Sequence, residues 1–132
     1  MTNQQLFDKV ATHLLTQRKA AIGKNGDCFY RKARRKGAAP LTCAIGCLIP
    51  EEKYRPEMEG TSLTNFGDIS SSTATRIEMI RRAAGLSRKQ IPLGRALQNL
   101  HDAMPVKGWR EGLRRIATHF NLKPTVLEAT HV

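Results

Sequence analysis

The chain has 132 residues, enough for one domain with a real core and too few for two. Forty per cent of it is hydrophobic, with one Trp, four Phe and no low-complexity tract, which excludes a disordered chain. Lys and Arg number 22 against 11 Asp and Glu, a net charge of +11, and such an excess points to a polyanionic partner, nucleic acid first or an acidic protein surface.

No apolar run approaches the length of about eighteen residues that spans a bilayer, so no membrane partner is expected. The N-terminus MTNQQLFDKVATHLL is polar and amphipathic, without the apolar stretch of a secretory signal. A cytoplasmic setting follows as the expectation, and there the three cysteines stay thiols.

In chain order, Leu6, Phe7, Val10, Ala11, Leu14 and Leu15 recur at three- and four-residue spacing and predict a helix over 3–17, capped by Thr2 or Asn3. The Asn-Gly pair in GKNGD, residues 23–27, predicts a turn, and a short strand CFYR follows it. RKARRK, residues 31–36, places five bases in six positions ahead of Gly37 and Pro40. So many like charges cannot be buried together, so this segment is an exposed tip within a β-hairpin spanning about 27–42.

TCAIGCLI, from Thr42, is expected to start a short central helix, with a buried strand as the alternative, and Ala44 and Gly46 would let another element approach closely. EEKYRPEMEG then concentrates Glu51, Glu52, Glu57 and Glu59, and residues 61–71 read as a polar connection. Thr75 with Glu78 has capping-box spacing for a helix RIEMIRRAA that ends at Gly85. Ser87 with Gln90 repeats that spacing, and Pro92 suits the first turn of a helix running to Met104, before Pro105. Leu93, Leu97, Leu100 and Met104 share one face of it; Trp109, Leu113, Ile116 and Phe120 do so in the next helix. A last turn begins at Pro124. The fold class is therefore mainly α, a single small domain of four to five helices with one short β-hairpin.

Three chemistries compete for the notable residues. Cys28, Cys43 and Cys47 invite a metal, but a C-x3-C pair inside an apolar run lacks the tight knuckles and second ligand pair of structural zinc sites, and a further ligand would have to come from His101, His119 or another distant residue. Small buried thiols fit better, so no metal and no cofactor is assigned. Alternatively, with Thr42 as N-cap, Cys43 lies in a first helical turn that favours a thiolate, making it a nucleophile with His101 as base. Asp102 lies about a hundred degrees round that helix from His101 and is a poor orienter for it.

Nucleic-acid binding is the third. Arg31, Lys32, Arg34, Arg35 and Lys36 neutralise phosphates from the hairpin, and Arg81, Arg82, Arg88 and Lys89, with Arg95, form a second basic zone. Phe29 and Tyr30 beside the first cluster alternate, so one stacks and one packs in the core. IRRAAGLSRKQI and LRRIATHFNLKPTVL have the outline of a helix-turn-helix, but Arg81 takes a position that wants a small residue, Pro92 interrupts the recognition helix, and the second segment leaves too few residues.

GDCFYR followed by LTCAIGCLIPEEKYRPEMEG, within residues 25–60, resembles a group of short, largely uncharacterised phage and bacterial proteins that share a C-A-[IV]-G-x-L core after a basic or Gly-rich hairpin. The group brings no activity with it, so Cys43, Ala44, Gly46 and Leu48 carry over as a signature. RKARRK is longer and more basic than that pattern. The resemblance implies a phage or prophage accessory protein that binds host or viral macromolecules. The expected function is thus non-enzymatic binding of nucleic acid, or of a host complex that processes it, through the basic loop. The alternatives are a Cys43–His101 enzyme and a protein-only inhibitor of a host factor.

Overall fold

A computed structural model describes residues 1–61 and 71–129. In order, its elements are α1 Asn3–Gln17, β1 Arg31–Lys32, β2 Leu41–Thr42, α2 Ser71–Ala84, α3 Ile91–Ala103, α4 Trp109–His119 and α5 Thr125–Ala129. Short 3-10 turns lie between them, at Gly46–Leu48, Glu51–Lys53, Pro56–Met58, Arg88–Gln90 and Val106–Gly108. This is the small mainly α architecture with one hairpin that the periodicity predicts.

α1 starts where Thr2 and Gln5 exchange hydrogen bonds in a capping box, and all six of its stripe residues are buried. It packs against α3, α4 and α5, so the core lies on its apolar stripe. α3 begins with Pro92 in its first turn, directly after a second capping box between Ser87 and Gln90. α4 crosses α3 closely: a Cβ on Gly112 would lie 2.3 Å from Leu100 Cδ1, so the helix contact is made through glycine.

Three expectations are corrected. α2 opens at Ser71, so Thr75 lies inside the helix and Glu78 is released from any capping role to hold arginines instead. Met104 is exposed, because it is the C-cap of α3 with extended backbone and has left the helical face. The apolar face expected on α4 is present, with Trp109, Leu113 and Ala117 covered and Ile116 and Phe120 packed, partly buried, against the same core. Finally, Thr42 belongs to β2, and the CAIGCLI run is a turn followed by a single 3-10 turn, Gly46–Leu48. The polar connection expected at 61–71 lies, apart from its two ends, outside the described residues.

The centrality of that run nevertheless follows from its small residues. Cys43, Ala44, Ile45, Gly46 and Leu48 are all buried. A Cβ on Gly46 would sit 2.0 Å from the Tyr30 carbonyl oxygen, so the backbone entering the hairpin runs directly over it.

β1 and β2 are antiparallel, with Arg31 opposite Thr42 and Lys32 opposite Leu41. A two-residue ladder is too short to hold itself, and side chains clamp it from both sides. Gln17 of α1 uses its amide as a strand would, accepting from Thr42 N–H at 3.0 Å and donating to Thr42 O at 3.0 Å. On the other edge Glu59 accepts from Tyr30 N–H at 2.9 Å and Arg31 N–H at 3.2 Å, and Tyr54 O–H donates to it at 2.7 Å.

Candidate functional site

α3 places Gln98, His101 and Asp102 at one-turn spacing beside the turn that carries Cys28. His101 is fully buried. Ala21 N–H donates to its Nε2 at 2.9 Å, which requires a lone pair there and puts the proton on Nδ1. Nδ1 then donates to Asp102 Oδ1 at 2.8 Å. Asp102 therefore does orient His101, against expectation: the 2.8 Å bond joins adjacent residues, so the backbone angle between them does not keep their side chains apart.

The network extends in both directions. Gln98 Nε2 donates to Asp102 Oδ1 at 2.7 Å, while Gln98 Oε1 accepts from Ile45 N–H at 3.0 Å. α3 thus tethers both the 18–21 segment and the central CAIG turn through side-chain hydrogen bonds. Burial by itself would raise the Asp102 carboxyl, but hydrogen bonds from His101, Cys28 and Gln98 outweigh it and hold the group below its ordinary value. The Cys28 thiol is pushed up to about 12, first by burial and then by its hydrogen bond to that carboxylate.

Potential ligand atoms of Cys28, His101 and Asp102 lie within 4.8 Å of one another, close enough to raise the question of a metal ion. The hydrogen bonds answer against it. A histidine bound to metal donates through its second nitrogen, whereas Ala21 N–H points at Nε2 and would face an N–H there. A metal on Nδ1 would need the ring as an imidazolate.

Cys43 has lost the environment of a nucleophile. It follows a strand instead of opening a helix, is fully buried, and its thiol is raised far above the usual range, chiefly by burial. Its Sγ accepts from Gly46 N–H at 3.2 Å. Both ring nitrogens of His101 are committed elsewhere, so no lone pair of that ring serves Cys43. Cys47 donates its S–H to Ala44 O at 3.1 Å and is likewise raised, to about 12, by burial.

The hairpin divides its five cations. Arg31 pairs with Glu51 at 2.9 Å and lies 5.9 Å from the Tyr54 ring centroid, and Lys32 Nζ donates to Ile22 O at 3.0 Å. Both are structural parts of the base. Arg34 holds the tip closed by donating from Nε to Ala39 O at 2.7 Å, while Arg35 and Lys36 project from it. All three are exposed, and among the described residues no carboxylate lies within ion-pair distance of them. Tyr30 is the core member of the aromatic pair, its hydroxyl donating to Thr61 O; Phe29 is half-buried over Gly23.

The second basic zone differs. Glu78 pairs with Arg81 at 2.5 Å and Arg82 at 3.1 Å and reaches Arg88 at 4.0 Å, so one carboxylate is shared by three of the predicted binding cations. Those bonds hold Glu78 down at about 2, the contact with Arg81 leading. Arg81 also donates to Leu86 O across the helix end. Lys89 and Arg95 are exposed.

Sequence reasoning did not single out Gln17, Glu59 or Gln98. Glu59 was visible only as part of an acidic run. Gln98 did carry a signal: with His101 and Asp102 it makes an i, i+3, i+4 set of polar groups beside the leucine stripe. No helix among the described residues is long and apolar enough to cross a membrane. Comparison with known protein families, with curated proteins and with solved structures finds no match for this chain.

Proposed function

We propose that this chain is a small phage-type accessory protein of the bacterial cytoplasm that binds nucleic acid through the tip of its basic hairpin and performs no chemistry on it. The observation that supports this reading is the contrast within the hairpin: a base clamped by Gln17 and Glu59, and a tip whose Arg34, Arg35 and Lys36 have no carboxylate partner among the described residues. Phosphates bound there release condensed counterions, and a base already ordered reduces the entropy lost on binding. Lys89, Arg88 and Arg82 supply a second positive zone, with Arg81 serving mainly to close α2.

The test is a mobility shift on single- and double-stranded DNA and RNA over about 50 to 200 mM salt. Each phosphate contact contributes about 0.9 to the logarithmic salt slope on duplex and about 0.7 on single strands. Replacing Arg34, Arg35 and Lys36 together by alanine is expected to flatten the slope by about 2 to 3. No retardation of any nucleic acid at the lowest salt would overturn the reading and leave an acidic protein surface as the target. Retardation indifferent to the triple substitution would remove the hairpin from the interface.

A further inference from the structure

Behind the hairpin base, between the turn at 26–28 and the C-terminal half of α3, lies a cavity of about 350 Å³. That is within the range of sites that hold small ligands, about 300 to 1,000 Å³. Its charge is opposite to that of the chain. Among the described residues, its lining includes two carboxylates, Asp27 and Asp102, and no Lys or Arg, in a protein of net charge +11. An anion entering it meets only like charge, while a cation finds both carboxylates beside the rings of Phe29 and Tyr30.

Asp102 is aimed as a receptor needs to be. His101 Nδ1 and Gln98 Nε2 both donate to its Oδ1, at 2.8 and 2.7 Å, fixing the carboxylate in one orientation. An ionised carboxylate has about four acceptor positions on its two oxygens. Two are filled by these bonds and a third is taken by the Cys28 thiol, which leaves capacity on a side chain that is 18% exposed. Gln98 has both ends engaged, and the two thiols lining the cavity are uncharged, so Asp102 is the group through which a ligand would be oriented.

We propose that this cavity binds a small organic cation with N–H donors, a guanidinium or primary ammonium, oriented by Asp102 and attracted by Asp27 at the rim. The site is separate from the hairpin tip, and it stands whether or not the tip binds nucleic acid. Charge-assisted N–H to carboxylate bonds provide its specificity. A neutral molecule of the same size lacks that term.

The experiment titrates the isotope-labelled full chain with agmatine, which carries both cationic groups, with urea as the uncharged control, and follows backbone amide resonances. Agmatine is expected to give saturable shifts at residues 26–30, 60–61 and around Asp102, and urea none. Asp102→Asn should weaken agmatine by about tenfold, the loss of one charge-assisted bond. Because that variant also disturbs His101, Asp27→Asn, in an exposed turn, is the second probe and should weaken binding several-fold with an unchanged melting temperature. Absence of saturable shifts with agmatine, an equal response to urea, or undiminished agmatine binding by Asp27→Asn would overturn the proposal.

Discussion

The Cys28–His101–Asp102 cluster and the hairpin tip hold the residues that attract most attention in the sequence, and they use them in opposite ways. In the cluster both ring nitrogens and the Gln98 amide have partners inside the fold. At the tip, Arg35 and Lys36 are exposed, with no carboxylate within ion-pair distance among the described residues. Residue type names a chemistry, but the partners already supplied by the fold decide how much of it remains for a ligand. The α2 zone lies between the two, three of its arginines sharing Glu78.

That contrast can be broken most forcefully from the core. Trp109 is fully buried, donates from Nε1 to Met104 O at 3.0 Å, and its ring centroid is 5.7 Å from that of His101. Trp109→Ala is expected to cost about 3 to 5 kcal/mol in chemical denaturation and to expose the cluster to exchange. An unchanged denaturation midpoint would mean that the cluster does not depend on the core beside it. His101→Ala removes a buried ring and strands Ala21 N–H; a loss of about 2 to 4 kcal/mol is expected by the same measurement.

Gly46→Ala sharpens the comparison from the hairpin side, because the added methyl meets the Tyr30 backbone. It should cost about 1 to 3 kcal/mol by thermal melting and loosen the base from which the tip is displayed. Acid should act mainly on the carboxylates. Asp102 and Glu78 have folded values below their ordinary ones, so their contribution is complete above the ordinary carboxylate range and is lost as pH falls through the folded values. For Glu78 that window runs from 4.5 down to about 2. Unfolding followed against pH should show stability falling on acidification, with a shallower fall in Asp102→Asn.

The smallest expected effect on stability belongs to the tip. Replacing Arg35 and Lys36 by alanine should change stability by no more than about 0.5 kcal/mol, since neither side chain is in the core. A larger loss would show that the tip takes part in the fold and weaken its assignment as a binding element.

Elements whose signals are local were legible. α1 and its cap, the stop at Gly85, the Ser87–Gln90 box and Pro92 at a helix start all depend on residues within a turn of one another. The beginning of α2 was not, because the Thr75–Glu78 spacing fits a capping box while the helix extends back to Ser71. Within the site, the exposure of the tip followed from charge density alone, but the division of its cations did not. Whether Arg31 meets Glu51, or Glu59 closes the edge of β1, depends on segments about twenty to thirty residues apart.

By itself, then, the sequence determined a small, strongly basic, mainly α chain with a central run of small residues and a basic hairpin, because periodicity, capping spacing and charge repulsion act over short distances along the chain. Only the tertiary structure decided that His101 gives its lone pair to Ala21, that Cys43 is a core thiol and that Asp102 faces a cavity. Those outcomes depend on hydrogen bonds between distant segments and on what burial leaves uncovered.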